Sequence, residues 1–450
     1  MRIAIVGAGI SGLAAAYDLQ KLEGFEVTLF DKSAGVGGKI QTVREGDYLI
    51  EQGPDSIFSA KPWAVDLMCE LGMEDELVEP LSSEFSILTK GKLHKVPRAL
   101  ATFIPSASGA LEKVGFLSAA AKRRALKEAE VEPGAGEDES IASFFRRRFG
   151  RKFSELVAEP LLAGTHAGDP EKLSMAAMYP AYLGMEREHG SVAEAAAKRQ
   201  HASGPSRKVG FLTLKGGMAT FPQRLANALT NVRCMPSTEV LGLAPESGAV
   251  RLQTSSGEFV FDHLILAVPA NVASSLLAGS RPGAAEKLGQ IQYVSTAIAT
   301  LVYKRSAFPE PLTGNGFLVP FSEPSAITGC TWSSNKWASR APEDELLIRA
   351  FMGRTGGLNV DDFDDDSLIA QAADELSVLV KPSQPPLFTR LDRWPKAMAQ
   401  YELGHLALLA GIEESLAGLP ISLVGSSYRG NSIPDCVRQG REAARKLAAK

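Results

Sequence analysis

Three glycines and one acid near the start of the chain carry the first chemistry readable from spacing. Gly7, Gly9 and Gly12 stand in a G-x-G-x-x-G turn, and Asp31 follows Gly12 by nineteen residues. Glycine at the first position permits a tight turn, and at the second it lets the backbone approach a pyrophosphate. At the third it lets a helix pack on a strand while its N-terminus faces phosphate charge. Ile10 and Ser11 open that helix. Asp31 and Lys32 close the strand that follows it, where a carboxylate accepts hydrogen bonds from a ribose. The pattern predicts a dinucleotide site, because a glycine-rich turn in an ordinary α/β unit explains neither the acid nor its spacing. A second pair, Gly37–Gly38 with Lys39 after it, comes six residues beyond the acid. A backbone without side chains there leaves room for close approach of a ligand, and Lys39 offers a cation. Gly53-Pro54-Asp55-Ser56 then forms a rigid turn.

The elements that must position these residues are legible around them. "RIAIVGAG" is a buried strand, "ISGLAAAYDLQKL" a helix and "FEVTLFDK" a second strand, which is a βαβ unit. From about residue 62 to 130 the pattern reads as helical, and a charged loop leads to a helix cap at Ser140. "IASFFRRRFGRKFSELVAEPLLAG" reads as a helix whose three arginines form a solvated face, with a lipid surface or an anionic ligand as the alternative. Residues 208–270 return to a glycine pair before a helix and to alternating strands that include Val240. Residues 290–395 are strand-rich. A last strand, 421–424, runs through Gly425 and Gly430 into a helix opened by "SIPDCVRQG". There Pro434 occupies the first turn after Ser432 and Ile433, and Asp435 is a cap candidate. The chain thus interleaves its lobes, with expected units at 1–85 (cofactor, first part), 86–207 (helical subdomain), 208–275 (cofactor, second part), 276–395 (substrate sheet) and 396–450 (cofactor, third part).

Composition narrows the function classes. A net charge of −4 gives no reason to expect nucleic acid. The four cysteines are scattered and the six histidines stand singly, so neither a disulfide framework nor a metal site is expected. The reading is cytoplasmic: the first residues enter a strand with no secretion signal ahead of them, and no run is long enough to span a membrane. That leaves room for a peripheral contact at the inner membrane face. No Ser-His-Asp set and no carboxylate pair demands acid–base chemistry, so no catalytic residue is assigned.

The "GVGGKIQT" stretch resembles the G-G-[RK] element of the amine-oxidase superfamily, which points to FAD rather than NAD. Across the chain, "ESIASFFRRRFGRKFSELVAEPLLAGTHAGDPEKLSM", "GGKIQTVREGDYLIEQGPDS", "ITGCTWSSNKW", "RWPKAMAQYELGH" and "GNSIPDCVRQG" are together similar to the porphyrinogen oxidases of haem biosynthesis. The likeness is greater to the bacterial branch acting on coproporphyrinogen III, with the protoporphyrinogen branch beside it.

The resemblance implies an α/β fold: an FAD-binding Rossmann-like domain, an interleaved mixed-sheet substrate domain and a helical subdomain. It implies noncovalent FAD, although Cys436 beside the last motif raises a covalent link as the alternative. It further implies a tetrapyrrole that loses six hydrogens with O2 as acceptor and hydrogen peroxide released, and a hand-over to a ferrochelatase. Val240 and Trp394 are expected at the cofactor. Lys61, Arg44, Lys336 and Arg354 are the cations expected to meet substrate propionates, Lys61 first among them, against solvated surface residues as the competing reading. Tyr401 and His166 read as core residues. The family usually has glycine where this chain has Ser432, which bears on the backbone near the flavin. The rival classes are an amine or carotenoid oxidase and a non-catalytic FAD protein.

Overall fold

The computed structural model describes residues 1–97, 100, 104–105, 109–162, 164–202, 209–246 and 248–449. Ala163, inside one stretch that carries the resemblance, lies outside the described residues. Strand β1 (Arg2–Val6), helix α1 (Ile10–Leu19) and strand β2 (Glu26–Phe30) form the βαβ unit. β1 is the centre of a five-stranded parallel sheet. On one side lie β2 and then Val232–Met235; on the other lie His263–Leu266 and then Ile421–Leu423. Parallel strands are covered on both faces, so they read as continuous apolar runs, and Ile3, Ala4, Ile5, Leu264, Ile265 and Leu266 are fully buried. α1 covers one face together with the C-terminal helix Ile433–Ala448. The two helices approach so closely that a Cβ on Gly440 would lie 2.2 Å from the Ser11 carbonyl oxygen. The other face meets an antiparallel three-stranded sheet, Val240–Glu246, Ala249–Thr254 and Gly257–Phe261.

A second sheet has seven strands in the spatial order Phe388–Ala399, Tyr293–Lys304, Glu345–Met352, Ile327–Trp332, Gly316–Leu318, Ser86–Thr89 and Lys92–Lys95. Its pairings are antiparallel except for the one between Gly316–Leu318 and Ser86–Thr89. One face packs through Ala299, Leu301 and Ile348 on the helix Asp365–Val380. The other meets the hairpin of Thr42–Glu45 and Tyr48–Glu51 through Val302, Leu347 and Ile50. That hairpin runs straight into the Gly53 turn, so the second sheet is anchored beside the glycine motifs.

Two expectations need correction. The helical reading of 62–130 fails at Ser86–Lys95, which is a hairpin turning through Lys90 (φ 52°) and Gly91 (φ 69°). Each of its strands has four residues, too few for a period-two pattern to emerge. The arginine-bearing helix Ile141–Phe149 is a solvated face only at Arg146, which is exposed and paired with Glu171. Arg148 is fully buried and ion-paired with Glu128 and, at 3.2 Å, with Glu186, while Arg147 reaches Glu186 at 2.7 Å and Glu139 at 2.5 Å. Glu128 and Glu186 belong to other segments, so helical periodicity could not reveal them. Helix Ile141–Phe149 also stops at Gly150 (φ 89°) before the chain resumes. Among the described residues, no helix is long and apolar enough to cross a membrane.

Candidate functional site

Both glycine motifs meet at the carboxyl end of β1. Gly7 has φ 108°, a left-handed value that favours glycine, and a Cβ on Gly12 would lie 2.0 Å from the Gly7 carbonyl oxygen. Gly9 differs in kind, since a Cβ there would meet no other protein atom within 4 Å. It borders open space at the N-terminus of α1, which is the cradle a pyrophosphate needs. The second glycine pair docks on the first turn: the Gly37 N–H donates to the Ala8 carbonyl at 2.9 Å. A Cβ on Gly38 would stand 3.4 Å from the Gly9 Cα. Asp31 ties this corner together. Its carboxylate accepts from the Ala8 N–H at 2.6 Å and the Ser33 N–H at 2.7 Å, and each oxygen keeps a further lone pair for a ribose hydroxyl. Lys32 beside it is exposed, Ile10 and Ser11 are buried in the start of α1, and Val240 is buried at the start of its strand.

The Gly53 turn is held from the second sheet. A Cβ on Gly53 would collide at 2.2 Å with the Lys39 carbonyl, so the two glycine-bearing segments touch through backbone. Trp394 Nε1 donates to the Gln52 carbonyl at 2.6 Å, and Arg349 Nη2 donates to the Gly53 carbonyl at 2.5 Å. Asp55 accepts from Lys336 Nζ at 2.9 Å and from Trp337 Nε1 at 3.1 Å, and Ser56 Oγ donates to it at 2.7 Å. Burial works against the charge of Asp55. The Lys336 ammonium and Arg349 guanidinium outweigh it and hold the carboxyl well below the usual range. Lys336 is therefore engaged with Asp55 rather than standing free for a ligand. Lys39 is partly buried with Nζ on the Ala397 carbonyl, and that burial lowers its pKa.

The C-terminal helix supplies the third wall. Its N-cap is Ser432, whose hydroxyl accepts from the Asp435 N–H at 3.3 Å, so the cap expected at Asp435 lies three residues earlier. Pro434 has no N–H and that of Asp435 is taken, which leaves the helix start with fewer donors for a ligand than its sequence suggested. Asp435 is instead buried and ion-paired with Lys61 Nζ at 2.5 Å. Beside this pair, His166 accepts through Nδ1 from Asn431 Nδ2 at 3.0 Å and lies 3.1 Å from Tyr179 through Nε2. Burial first, and then Lys61, push the His166 pKa down to about 4, so the ring is neutral at pH 7. Cys436 is buried, and burial raises its thiol to about 11. Gly425, with φ 127°, carries the strand into this region, and Gln439 Oε1 accepts its N–H at 3.3 Å.

Two other candidate cations lie elsewhere. Arg44 is exposed on the hairpin and lines a cavity of about 430 Å³ with Glu76 and Arg224. Arg354 is buried with its guanidinium 4.4 Å from the Phe321 ring centre. Tyr401 is core, stacked on His405 with ring centres 4.0 Å apart. Sequence reasoning passed over Arg349 and Asn431, and it read Asp435 as a helix cap and not as the partner of Lys61. A buried arginine at an alternating strand position was the one available signal for Arg349; nothing local marks Asn431 or the pairing of Asp435.

The model of the flavin containing amine oxidoreductase family matches residues 10–448. A coproporphyrinogen III oxidase of Bacillus subtilis (strain 168) is 32% identical over 98% of this chain and 96% of its own length. One from Staphylococcus aureus is 28% identical over 100% and 99%. The crystal structure of a provisionally assigned protoporphyrinogen oxidase from Exiguobacterium sp. 255-15 superposes with a TM-score of 0.87 at 29% identity, covering 100% of this chain and 98% of that one.

Proposed function

We propose that this chain, which belongs to the flavin containing amine oxidoreductase family, is an FAD-dependent coproporphyrinogen III oxidase of haem biosynthesis that forms coproporphyrin III. The observation that carries the reading is near-full-length similarity to coproporphyrinogen III oxidases. Protoporphyrinogen IX oxidation is the second reading, favoured by the provisional name of the Exiguobacterium structure.

Bound FAD would accept hydride from the porphyrinogen and return electrons to O2 as hydrogen peroxide. The residues then have assignable parts. Gly7, Gly9 and Gly12 seat the pyrophosphate at α1, Ile10 and Ser11 form its first turn, and Asp31 with Lys32 takes the ribose. Val240 lies toward the adenine. Gly37, Gly38 and Lys39, with Gly53, Pro54, Asp55, Ser56 and Trp394, enclose the flavin end, and Gly425, Ser432, Ile433 and Pro434 close it from the C-terminal helix. The open space at Gly9 and the backbone contact of Gly53 with Lys39 support that placement. Protein groups fixed this firmly serve positioning more than proton transfer, which suits a reaction whose driving force lies in the cofactor and the aromatising ring. The burial-raised thiol of Cys436 favours noncovalent binding. Lys61 is the leading cation for a substrate propionate; Arg44 and Arg354 are secondary, and Lys336 would serve only on leaving Asp55. Hand-over of porphyrin to a ferrochelatase and a peripheral membrane contact belong to the same proposal. Parallel steady-state assays with coproporphyrinogen III and protoporphyrinogen IX test it.

A further inference from the structure

Lys61 and Asp435 form an unequal pair. They are bonded at 2.5 Å, yet the lysine side chain is 44% exposed and the aspartate 6%. The buried partner does not depend on the lysine alone. Ser432 Oγ donates to the same Asp435 Oδ2 at 2.5 Å, and Asp435 sits in the first turn of a 16-residue helix, where the dipole favours negative charge. The Gly430 backbone encloses it so tightly that a Cβ there would stand 2.5 Å from the Asp435 Cγ. Asp435 is therefore fixed and stabilised from three directions, while Lys61 has a long side chain that is nearly half exposed. The Lys61 N–H donates at 3.3 Å to the carbonyl of Phe58. Phe58 and Phe211 form an exposed aromatic pair, 41% and 50% accessible, with ring centres 5.2 Å apart. The residue that carries the ammonium is thus tied through its backbone to an exposed aromatic platform.

We propose that Asp435 is a specificity-determining residue acting through Lys61: it holds the ammonium in the ligand-free protein, and a carboxylate on the rim of a macrocycle seated at Phe58 and Phe211 draws it away. The inference rests on the porphyrinogen reading above and deepens it. Ser432 and the helix start keep Asp435 satisfied after Lys61 leaves, which makes the exchange feasible. The competition lowers affinity for any carboxylate that uses Lys61, so removing the Asp435 charge should strengthen that binding.

The test measures binding of coproporphyrin III and protoporphyrin IX to the FAD-loaded protein by fluorescence quenching, in wild type, Asp435→Asn, Lys61→Met and the double variant. Asp435→Asn should tighten coproporphyrin III by about two- to fivefold, the scale of a half-exposed ion pair. Lys61→Met should weaken it by a similar factor, and Asp435→Asn should have no effect in the Lys61→Met background. Tightening that persists without Lys61, or none with it, overturns the proposal. If Asp435→Asn does not fold, Ser432→Gly removes one of the other supports of Asp435 and should weaken coproporphyrin III binding only while Lys61 is present; unchanged binding overturns the proposal. Wild-type protein that binds neither porphyrin and oxidises neither porphyrinogen defeats the functional reading together with this one. Turnover without Lys61-dependent tightening defeats this one alone.

Discussion

Lys336 Nζ lies 2.9 Å from Asp55 Oδ2, a contact that bridges 281 residues of chain and joins the second sheet to the turn beside the glycine cradle. Trp337 and Arg349 reinforce it at Asp55 and Gly53. The consequence is that the element expected to carry substrate also fixes the Gly53–Ser56 turn. The second sheet and the glycine-bearing turn meet through specific donors on one short segment.

Replacing Lys336 by Met should destabilise the protein by about 2 kcal/mol at pH 7. That is less than the ~3–5 kcal/mol typical of a broken buried pair, because Trp337 and Arg349 remain on the turn. The pH dependence has a definite sign. The Asp55 carboxyl is held below its ordinary value of 3.8, so its stabilising contribution is complete above that pH and is lost as pH falls below it. Urea unfolding of wild type and variant should therefore converge as the pH falls from 4 toward 3. A difference that stays constant with pH would contradict the ion-pair account.

The glycines of the first motif separate into two kinds. Gly9→Ala places a methyl in open space and should leave the apoprotein melting temperature within about 2 °C while weakening FAD binding by at least about tenfold, on the order of 1.4 kcal/mol. Gly12→Ala forces a methyl against the Gly7 carbonyl and should cost about 2–3 kcal/mol of stability with or without FAD. Thermal melts of apoprotein and FAD titrations check both. Equal behaviour of the two variants would remove the argument for a cradle at Gly9.

These contrasts show what the sequence could reveal. β1, α1, β2 and both glycine motifs are local, and each position is constrained by backbone geometry within a few residues, so spacing was enough. That the second pair docks on the first through Gly37 and Ala8 follows from the same short segment. The Lys336–Asp55 and Lys61–Asp435 contacts join segments hundreds of residues apart, and no pattern along the chain encodes them. Lys336 could be singled out as a cation but not as one already engaged by Asp55. The Ser86–Lys95 hairpin was missed because four-residue strands carry almost no periodic signal. Arg148 was misplaced because its burial depends on Glu128, which belongs to a different segment.

Acid precipitation of the FAD-loaded protein should release all flavin to the supernatant, and Cys436→Ser should bind FAD as wild type does. Burial raises the thiol to about 11, which leaves it protonated and unreactive at neutral pH. A yellow pellet that turns colourless in Cys436→Ser would establish a covalent link instead.

His166 should make the protein sensitive to mild acid. Its pKa is lowered from 6.5 to about 4, so the unfolded chain takes up the proton first as pH falls, and stability is lost across that window. His166→Gln should flatten this limb by on the order of 2 kcal/mol between pH 6.5 and 4, as read by denaturant unfolding. An unchanged limb would mean that another group governs it.

The most direct measurement is steady-state kcat/KM of the FAD-loaded protein with coproporphyrinogen III and protoporphyrinogen IX in parallel, with hydrogen peroxide followed alongside porphyrin. The account predicts a clear preference for coproporphyrinogen III, with three peroxides formed per coproporphyrin III. A preference for protoporphyrinogen IX would overturn the substrate assignment, and turnover of neither by fully loaded protein would contradict the oxidase itself.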